Sequence, residues 1–584
     1  MTEEITKLLI QACEKVGITN PLIKLEHPDD ISHGDFSSNV AMVHAKALKV
    51  NPKVLAEKIV LEFNSLVSAS DSKDNILPAE VAGPGFINFK LGQKAITDNT
   101  RNVILLKDKF GAQEIGKGKK VLVEYSSPNI AKPFTVGHLR STIIGDAIAN
   151  THSFLGYEVI RDNHLGDWGT QFGKLLFAIE KWEGGSFDRI EKSNDPIKEL
   201  VDLYVKFHDE VDRFKKEGKE TEAVELEELA RGRFQVLESR KDPEMLSKWQ
   251  KCIDLSKKEF NKIYDALGVH FDPKRGDTEL GESVFATPEK SNEVLTALNN
   301  KKLLTQSEGA QVVIFENEKY PPLMIQKSDG TTIYATRDLA TDLYRKNTYG
   351  DNLKIINEVG SEQILYFRQL YEIEKMLGWF KESERIHVAH GLYRFKEGKM
   401  STRKGNVIWL KDIIDEAEKK ASVINPESAH DVAIGAIKFN DLKRDCAHDI
   451  VFDWDEIMNM TGDSGPYLQY SCVRAVTVLL KAKDNNIKVD IDSIRPEIKS
   501  MDALERYMMY FPEIIAFSAS SYKPNIIANY LINLAAYFNA FYAQTVIVDE
   551  KDKTSSYKLA VTEAFVNTMR NGLNLLGIKV PERM

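Results

Sequence analysis

Long hydrophobic runs are missing from this 584-residue chain. No stretch approaches the ~18 consecutive apolar residues that a membrane-spanning helix needs. Cysteine is scarce: Cys13, Cys252, Cys446 and Cys472 lie far apart, with no Cys-x-x-Cys and no Cys/His pair at zinc spacing. A disulfide framework and a structural zinc site are therefore not expected. Met1-Thr2-Glu3-Glu4 has no positive segment leading into an apolar one, so a secretion signal is not expected and a reduced, cytoplasmic setting is. Internal repeats and low-complexity tracts are absent too. Neither sign of charge dominates, with 78 Lys and Arg against 87 Asp and Glu for a net charge of −9. That balance argues against a uniformly basic, nucleic-acid-coating surface, while leaving room for local basic tracks.

What is present is ordinary globular composition, 42% hydrophobic and 28% charged. The length predicts roughly three or four domains. Bulk properties alone favour a metabolic enzyme over an RNA-binding protein. Residues 1–112 mix amphipathic helix with short strands. Val54, Leu55, Ile59, Val60, Leu61 and Phe63 are expected on one side of a helix, and Val81 to Phe89 reads as a turn entering a strand. Gly111 to Lys120 is a polar linker. Val121-Leu122-Val123 then reads as a buried strand. Helical spacing follows at Leu139, Ile143, Ile144, Ala147, Ile148 and Leu155, ended by Gly156, and Val159-Ile160 begins a second strand. Strand, helix, strand is the unit of a parallel α/β sheet. Charged helical sequence, about 180–270, reads as an insertion. Val312-Val313-Ile314-Phe315, Ile355-Ile356 and Ile386-His387-Val388 are expected to resume the same sheet until about residue 410. From Asp431 the chain turns helical and rich in Tyr and Phe.

Two motifs carry chemistry. Glu124-Tyr125-Ser126-Ser127-Pro128-Asn129-Ile130-Ala131-Lys132-Pro133-Phe134-Thr135-Val136-Gly137-His138-Leu139-Arg140-Ser141 joins a strand to a helix. Free backbone N–H groups and the positive helix end there face the adjoining crevice. Gly137 removes a side chain where a nucleotide could approach the backbone, and His138 could hydrogen-bond phosphate oxygens as charge builds on them. Alone, the block equally fits a helix start with a capping histidine. The second motif is Lys399-Met400-Ser401-Thr402-Arg403-Lys404-Gly405, after Gly391-Leu392-Tyr393. Its three cations within six residues could close over a triphosphate. Alone, it fits a solvated basic loop.

In this order and about 260 residues apart, the two resemble the HIGH and KMSKS motifs of class I aminoacyl-tRNA synthetases. Other blocks narrow the resemblance to the arginyl-tRNA synthetase family: Ser127-Pro128-Asn129, His138-Leu139-Arg140-Ser141-Thr142, and His164-Leu165-Gly166-Asp167-Trp168-Gly169-Thr170-Gln171-Phe172-Gly173. Tyr334-Ala335-Thr336-Arg337-Asp338, Phe452-Asp453-Trp454 and Gly465-Pro466-Tyr467-Leu468-Gln469-Tyr470 match as well. The likeness runs from the N-terminal domain to Met584 and is weakest in the charged insertion. Two positions depart from it. Thr135 replaces the first histidine of HIGH, and the second lysine of KMSKS is replaced by Arg403 or shifted to Lys404. In family members lacking that lysine, one just upstream of HIGH is thought to compensate, and Lys132 occupies its place here.

The resemblance implies an arginine–tRNA ligase. ATP and L-arginine would form arginyl-adenylate, and arginine would pass to the 3′ end of tRNA(Arg). The implied fold is a multidomain α/β chain: an α+β tRNA-corner domain (1–112), a Rossmann-like catalytic domain (113–410), a connecting region (411–455) and an all-α anticodon-binding bundle (456–584). Lys132, His138, Lys399, Ser401 and Arg403 are the implied catalytic residues. Thr135, Gly137, His138, Gly391, Lys399 and Met400 would hold ATP. The substrate guanidinium, a planar fork of donors, suits paired carboxylate acceptors. Glu124 and Asp338 are the implied acceptors, with Tyr334 adding a hydroxyl and Asn129 and Gln363 holding the amino-acid end. Should Tyr334 and Asp338 lie in one helix, their spacing puts them on one face. Phe86, Asn88, Tyr467, Tyr470 and Met584 are the implied tRNA contacts, the two tyrosines by stacking on splayed bases. Mg²⁺ is expected with ATP and no protein-held metal is. A monomer that needs tRNA before activating arginine completes the implied picture. The rivals are a small-molecule nucleotidyltransferase, a synthetase-like RNA-binding protein without catalysis, and a glutamate or glutamine synthetase.

Overall fold

The computed structural model describes every residue except 29–32, 396–407 and 424. It divides into two compact units. One comprises Met1–Gly111, Tyr470–Ile514 and Tyr530–Gly572, and the other Ala112–Gln469, Ile515–Asn529 and Leu573–Met584.

In the first unit, helices Thr2–Lys15, Val40–Leu48, Pro52–Ser68 and Gln93–Leu106 accompany an antiparallel sheet. Its strands run in the order Leu25–Glu26, Phe36–Ser38, Phe86–Phe89, Glu80–Ala82. Helix Pro52–Ser68 starts where Asn51 accepts a hydrogen bond from the Lys53 N–H and Pro52 needs none. It buries Leu55, Ala56, Ile59, Phe63 and Val67. Val54 and Leu61, expected on that side, are 44% and 71% exposed. The reason is periodicity: seven residues apart they share a face, but not the one defined by 55, 59 and 63. Helices Lys499–Met508 and Ser555–Leu575 also belong chiefly to this unit, with most of Asn525–Gln544, and the Phe538 and Phe565 rings stack at 4.0 Å.

The second unit is built on a parallel sheet. Strand β1 (Lys120–Glu124) leads through the signature loop into α1 (Val136–Phe154) and back to β2 (Glu158–Asp162). Much later, α2 (Tyr334–Tyr349) precedes β3 (Lys354–Gly360), and α3 (Ile364–Leu377) precedes β4 (Arg385–His390). The order is β4-β3-β1-β2, all pairs parallel. Leu122, Ile160, Leu353, Ile355 and Phe380 pack together beside it. Between β2 and α2 the charged segment folds into helices that include Thr170–Glu183, Pro196–Lys216, Glu220–Ser239 and Pro243–Leu267.

One sheet expectation fails. Ala310–Val313 joins Leu304–Ser307 and Leu323–Gln326 in a separate antiparallel sheet, and Ile314 lies beyond the strand, 52% exposed. Glu308 (φ 50°) and Gly309 (φ 84°) form a tight reversal, which dictates antiparallel pairing. Parallel pairing requires a longer crossover. Among the described residues, no helix is long and apolar enough to cross a membrane.

Candidate active site

The carboxyl ends of β1, β3 and β4 open into a cavity of about 430 Å³, the edge at which α/β sheets bind ligands. Immediately after β1 the chain is strained. Ser126 and Ser127 have φ of 69° and 42°, left-handed values that cost a non-glycine residue of order 1–3 kcal/mol. Neighbours hold them there. The Ser126 N–H donates to Ser141 Oγ at 2.9 Å, and the Ser127 N–H to Asn163 Oδ1 at 3.2 Å. The insertion contributes as well. Tyr264 of helix Pro243–Leu267 lies 2.8 Å from Ser126 Oγ, and Ser256 Oγ accepts from the Ala131 N–H at 2.9 Å. A helix of the charged insertion thus props the loop that borders the cavity.

Helix α1 begins at Thr135, whose N–H donates to His138 Nδ1 at 3.0 Å; the Thr135 hydroxyl oxygen is also 3.0 Å from that nitrogen. With Nδ1 accepting, the neutral ring carries its proton on Nε2. Burial, reinforced by the charges of Lys132 and His390, lowers the His138 pKa to about 4. At neutral pH His138 is therefore an uncharged donor. Thr135, Gly137 and His138 all border the cavity. A Cβ on Gly137 would meet only Thr135 Oγ1, at 3.5 Å, so protein packing does not require the glycine there. Arg140, fully buried, fastens α1 by ion-pairing with Asp441 and donating to the Cys446 and His448 carbonyls.

Another part of the lining is acidic. Asp338 borders the cavity and accepts a hydrogen bond from the Tyr366 hydroxyl. Burial raises its pKa to about 7, with the charges of Glu282 and Glu124 adding to the rise against the Tyr366 bond. Arg337 pairs with Glu282 at 3.3 Å. Glu124, at the end of β1, holds Asn357 Nδ2 at 2.9 Å and Arg345 at 2.5 Å. Arg345 is shared with Asp162 (2.5 Å) and Asp342 (2.8 Å), and Asp342 also pairs with Arg385 (2.6 Å). This buried network fixes the Glu124 carboxylate before any ligand arrives.

The cavity gathers Glu124, Asn129, Thr135, Gly137, His138, Asp338 and Gln363. Asn129 sits against Gly166, where a Cβ would come within 2.6 Å of its Oδ1. Tyr334 and Asp338 do share α2, but Tyr334 is 52% exposed and outside the lining. It reaches Asp338 through Tyr366, whose ring it meets at 5.0 Å. Lys132 is exposed and also outside the lining, acting on His138 by charge alone. Gly391 is buried with its N–H on the Cys446 carbonyl, and a Cβ would strike the His448 backbone at 2.6 Å. A close crossing of backbones thus accounts for that glycine. Lys399, Met400, Ser401 and Arg403 lie outside the described residues.

Away from the cavity, Phe86 on its strand is 36% exposed, while Asn88 Oδ1 is bound by Ser37 Oγ at 2.8 Å. Tyr467 and Tyr470 lie on helix Gly465–Asp484, the first half-buried and the second 36% exposed beneath the Arg474 guanidinium, 4.7 Å away. Met584 is half-buried. Sequence reading missed Arg345, Asn357, Tyr366, Glu358 and His390. The last two were findable, because they sit near or at the carboxyl ends of β3 and β4, strands the hydrophobic pattern had already located.

Three family models match in chain order: "Arginyl tRNA synthetase N terminal domain" over residues 3–91, "tRNA synthetases class I (R), catalytic domain" over 100–454, and "DALR anticodon binding domain" over 468–584. The arginine–tRNA ligase of Halothermothrix orenii is 38% identical, covering 100% of this chain and 99% of its own. That of Clostridium perfringens is 38% identical, covering 96% of each. The solved arginyl-tRNA synthetase of Thermus thermophilus has the same fold, with TM-score 0.80 and 23% identity over 100% of both chains. With a catalytic-domain model spanning more than half the chain and relatives matched from end to end, this protein belongs to the class I arginyl-tRNA synthetase family.

Proposed function

We propose that this protein ligates arginine to tRNA(Arg), first joining L-arginine and ATP into arginyl-adenylate and pyrophosphate. The observation that carries this reading is one cavity with the carboxylates Glu124 and Asp338 on one wall and the start of α1, with its neutral donor His138, on another. The acidic wall suits a guanidinium and the helix start suits phosphates. The arginine carboxylate attacks the α-phosphate of ATP and pyrophosphate leaves. The terminal ribose hydroxyl of tRNA then attacks the arginyl carbonyl, releasing AMP. No side-chain nucleophile is needed, since alignment and stabilisation of phosphate charge supply the rate.

In this reading Asp338 and Glu124 receive the guanidinium, Asn129 and Gln363 hold the amino-acid end, and Tyr334 supports Asp338 through Tyr366. Thr135, Gly137, His138 and Gly391 frame ATP. Lys132, His138, Lys399, Ser401 and Arg403 act as the catalytic residues, and Lys399 and Met400 also bind ATP. Mg²⁺ comes with ATP, carried by the phosphates; among the described residues no group of three or more His, Cys, Asp or Glu is arranged to hold a metal. Phe86 and Asn88 in the 1–112 domain meet the outer corner of tRNA. Tyr467, Tyr470 and Met584 in the 456–584 bundle meet the anticodon loop, and 411–455 connects that bundle to the catalytic domain 113–410. The protein acts as a cytoplasmic monomer. Incubation with ATP, tRNA(Arg) and each of labelled arginine and lysine tests the reading. Arginine alone should become acid-precipitable with the tRNA. Equal charging by lysine, or none by arginine, contradicts it.

A further inference from the structure

Among the described residues, the cavity is lined by more acid than base. Glu124, Glu282, Asp338, Asp342, Glu358 and Glu362 all border it, yet the nucleotide proposed for it carries a triphosphate. Arg345 is engaged by Glu124, Asp162 and Asp342. His138 is held neutral by its burial. Thr135 offers only an uncharged hydroxyl, already 3.0 Å from His138 Nδ1.

His390 differs from these, and from His164, whose Nδ1 meets the Leu280 carbonyl at 2.9 Å, in resting on a carboxylate. It is the last residue of β4, 8% exposed, and it borders the same cavity. Its Nδ1 lies 2.8 Å from Glu358 Oε1. An ionised carboxylate only accepts, so Nδ1 carries a proton, and the ring geometry turns Nε2 away from Glu358. Nε2 lies on the Gly360 side of the cavity, where a Cβ on that glycine would come within 3.7 Å of it and within 2.4 Å of Glu362 Oε2.

We propose that His390, held by Glu358, is a nucleotide-binding residue whose Nε2–H supplies a charged hydrogen bond to ATP in this cavity. The assignment rests on the proposed function and adds to it a contact that the motif blocks do not contain. It asks for a charged imidazole, and the surroundings favour one. Burial alone would lower its pKa, but the charge and hydrogen bond of Glu358 together outweigh that and the net shift is upward. Among the other groups around it are Arg140, which opposes the charge, and Asp441, which favours it; His138 and His387 each feel His390 as a like charge, and the Glu362 carboxylate shares the space beside Gly360. A carboxylate behind an imidazole fixes its tautomer and stabilises its protonated form. The alternative is a buried His–Glu pair that only completes the packing of β3 on β4.

The test is ATP–pyrophosphate exchange with arginine and tRNA present, for wild-type protein, His390→Leu and His390→Gln, with thermal melting of each. His390→Leu should raise the ATP KM or lower kcat by about tenfold or more, the scale for losing a donor to developing phosphate charge. Its arginine KM should stay within about twofold, because the lost contact is not to the amino acid. Wild-type activity should fall as pH rises through the His390 pKa, since the protonated ring is the active form. His390→Gln keeps an N–H without the charge and should lack that alkaline limb. Unchanged ATP constants in a folded His390→Leu, or a defect confined to the arginine KM, overturn the assignment. If His390→Leu melts far below wild type, Glu358→Gln decides. It keeps an acceptor for Nδ1–H but removes the charge, so the alkaline limb should move to lower pH, and an unmoved limb overturns the proposal. Wild-type protein that exchanges without regard to arginine would strike the proposed function instead. Calorimetric binding of ATP itself, weaker in His390→Leu and equal to wild type if the assignment is wrong, then still tests His390.

Discussion

Asp338 shows how a residue's surroundings set its chemistry. Its carboxyl is buried near Glu282 and Glu124, and its pKa rises to about 7. In the role proposed for Asp338, an arriving guanidinium needs the ionised form, so below that pKa binding must first remove a proton. The sign follows: arginine affinity should rise by about tenfold per pH unit below pH 7 and level off above it. Calorimetric titration of arginine at pH 5.5, 6.5 and 7.5 reads this, and a flat profile contradicts it. Asp338→Asn keeps the shape and removes the charge, and should weaken arginine by roughly 100-fold with little change in the ATP KM, on the scale of 2–5 kcal/mol for truncating a buried charge pair. A comparable loss for ATP would mean that Asp338 acts through the fold. The sequence made Asp338 and Glu124 legible because they stand in matching blocks. It concealed Arg345, whose partners come from β1, β2 and its own helix. The bond from Arg345 to Asp162 spans 183 positions, and no local pattern announces an ion pair at that separation. His390 was findable only by its place at the end of β4, since a lone histidine before a glycine has many ordinary explanations.

Between elements, α1 packs tightly against the chain leaving β1. Gly145 lies so near Tyr125 that an added Cβ would fall 2.2 Å from the tyrosine Cβ. Gly145→Ala must therefore push the helix off the strand, with a cost of about 1–3 kcal/mol, the usual scale for overpacking a core. The displacement also moves His138 relative to Glu124. Urea unfolding should show the loss of stability, and pyrophosphate exchange a lower kcat; wild-type values in both would mean that the helix has slack. Helical spacing from Leu139 to Leu155 made α1 readable, whereas the tightness at Gly145 depends on a neighbour that periodicity does not reveal. The same limit explains Ala310–Val313. Apolar content identified a strand there, but the reversal at Glu308 and Gly309, not hydrophobicity, decided which sheet it joined.

Across the whole chain, the order of architectures was legible: mixed helix and strand, then a parallel sheet interrupted by charged helices, then aromatic-rich helices. The matched family models follow that order. What the sequence understated is how the charged insertion serves the site, through Tyr264 and Ser256 supporting the signature loop. Those contacts are single hydroxyls within a long helix whose sequence reads only as part of a charged insertion. The central claim is that one cavity joins a guanidinium-binding acidic wall to a phosphate-binding helix start. ATP–pyrophosphate exchange with each of the twenty amino acids, with and without tRNA(Arg), tests it most directly. Exchange with arginine alone, and only when tRNA(Arg) is present, is the predicted result. Exchange driven by another amino acid, or none with arginine and tRNA(Arg) together, would contradict it.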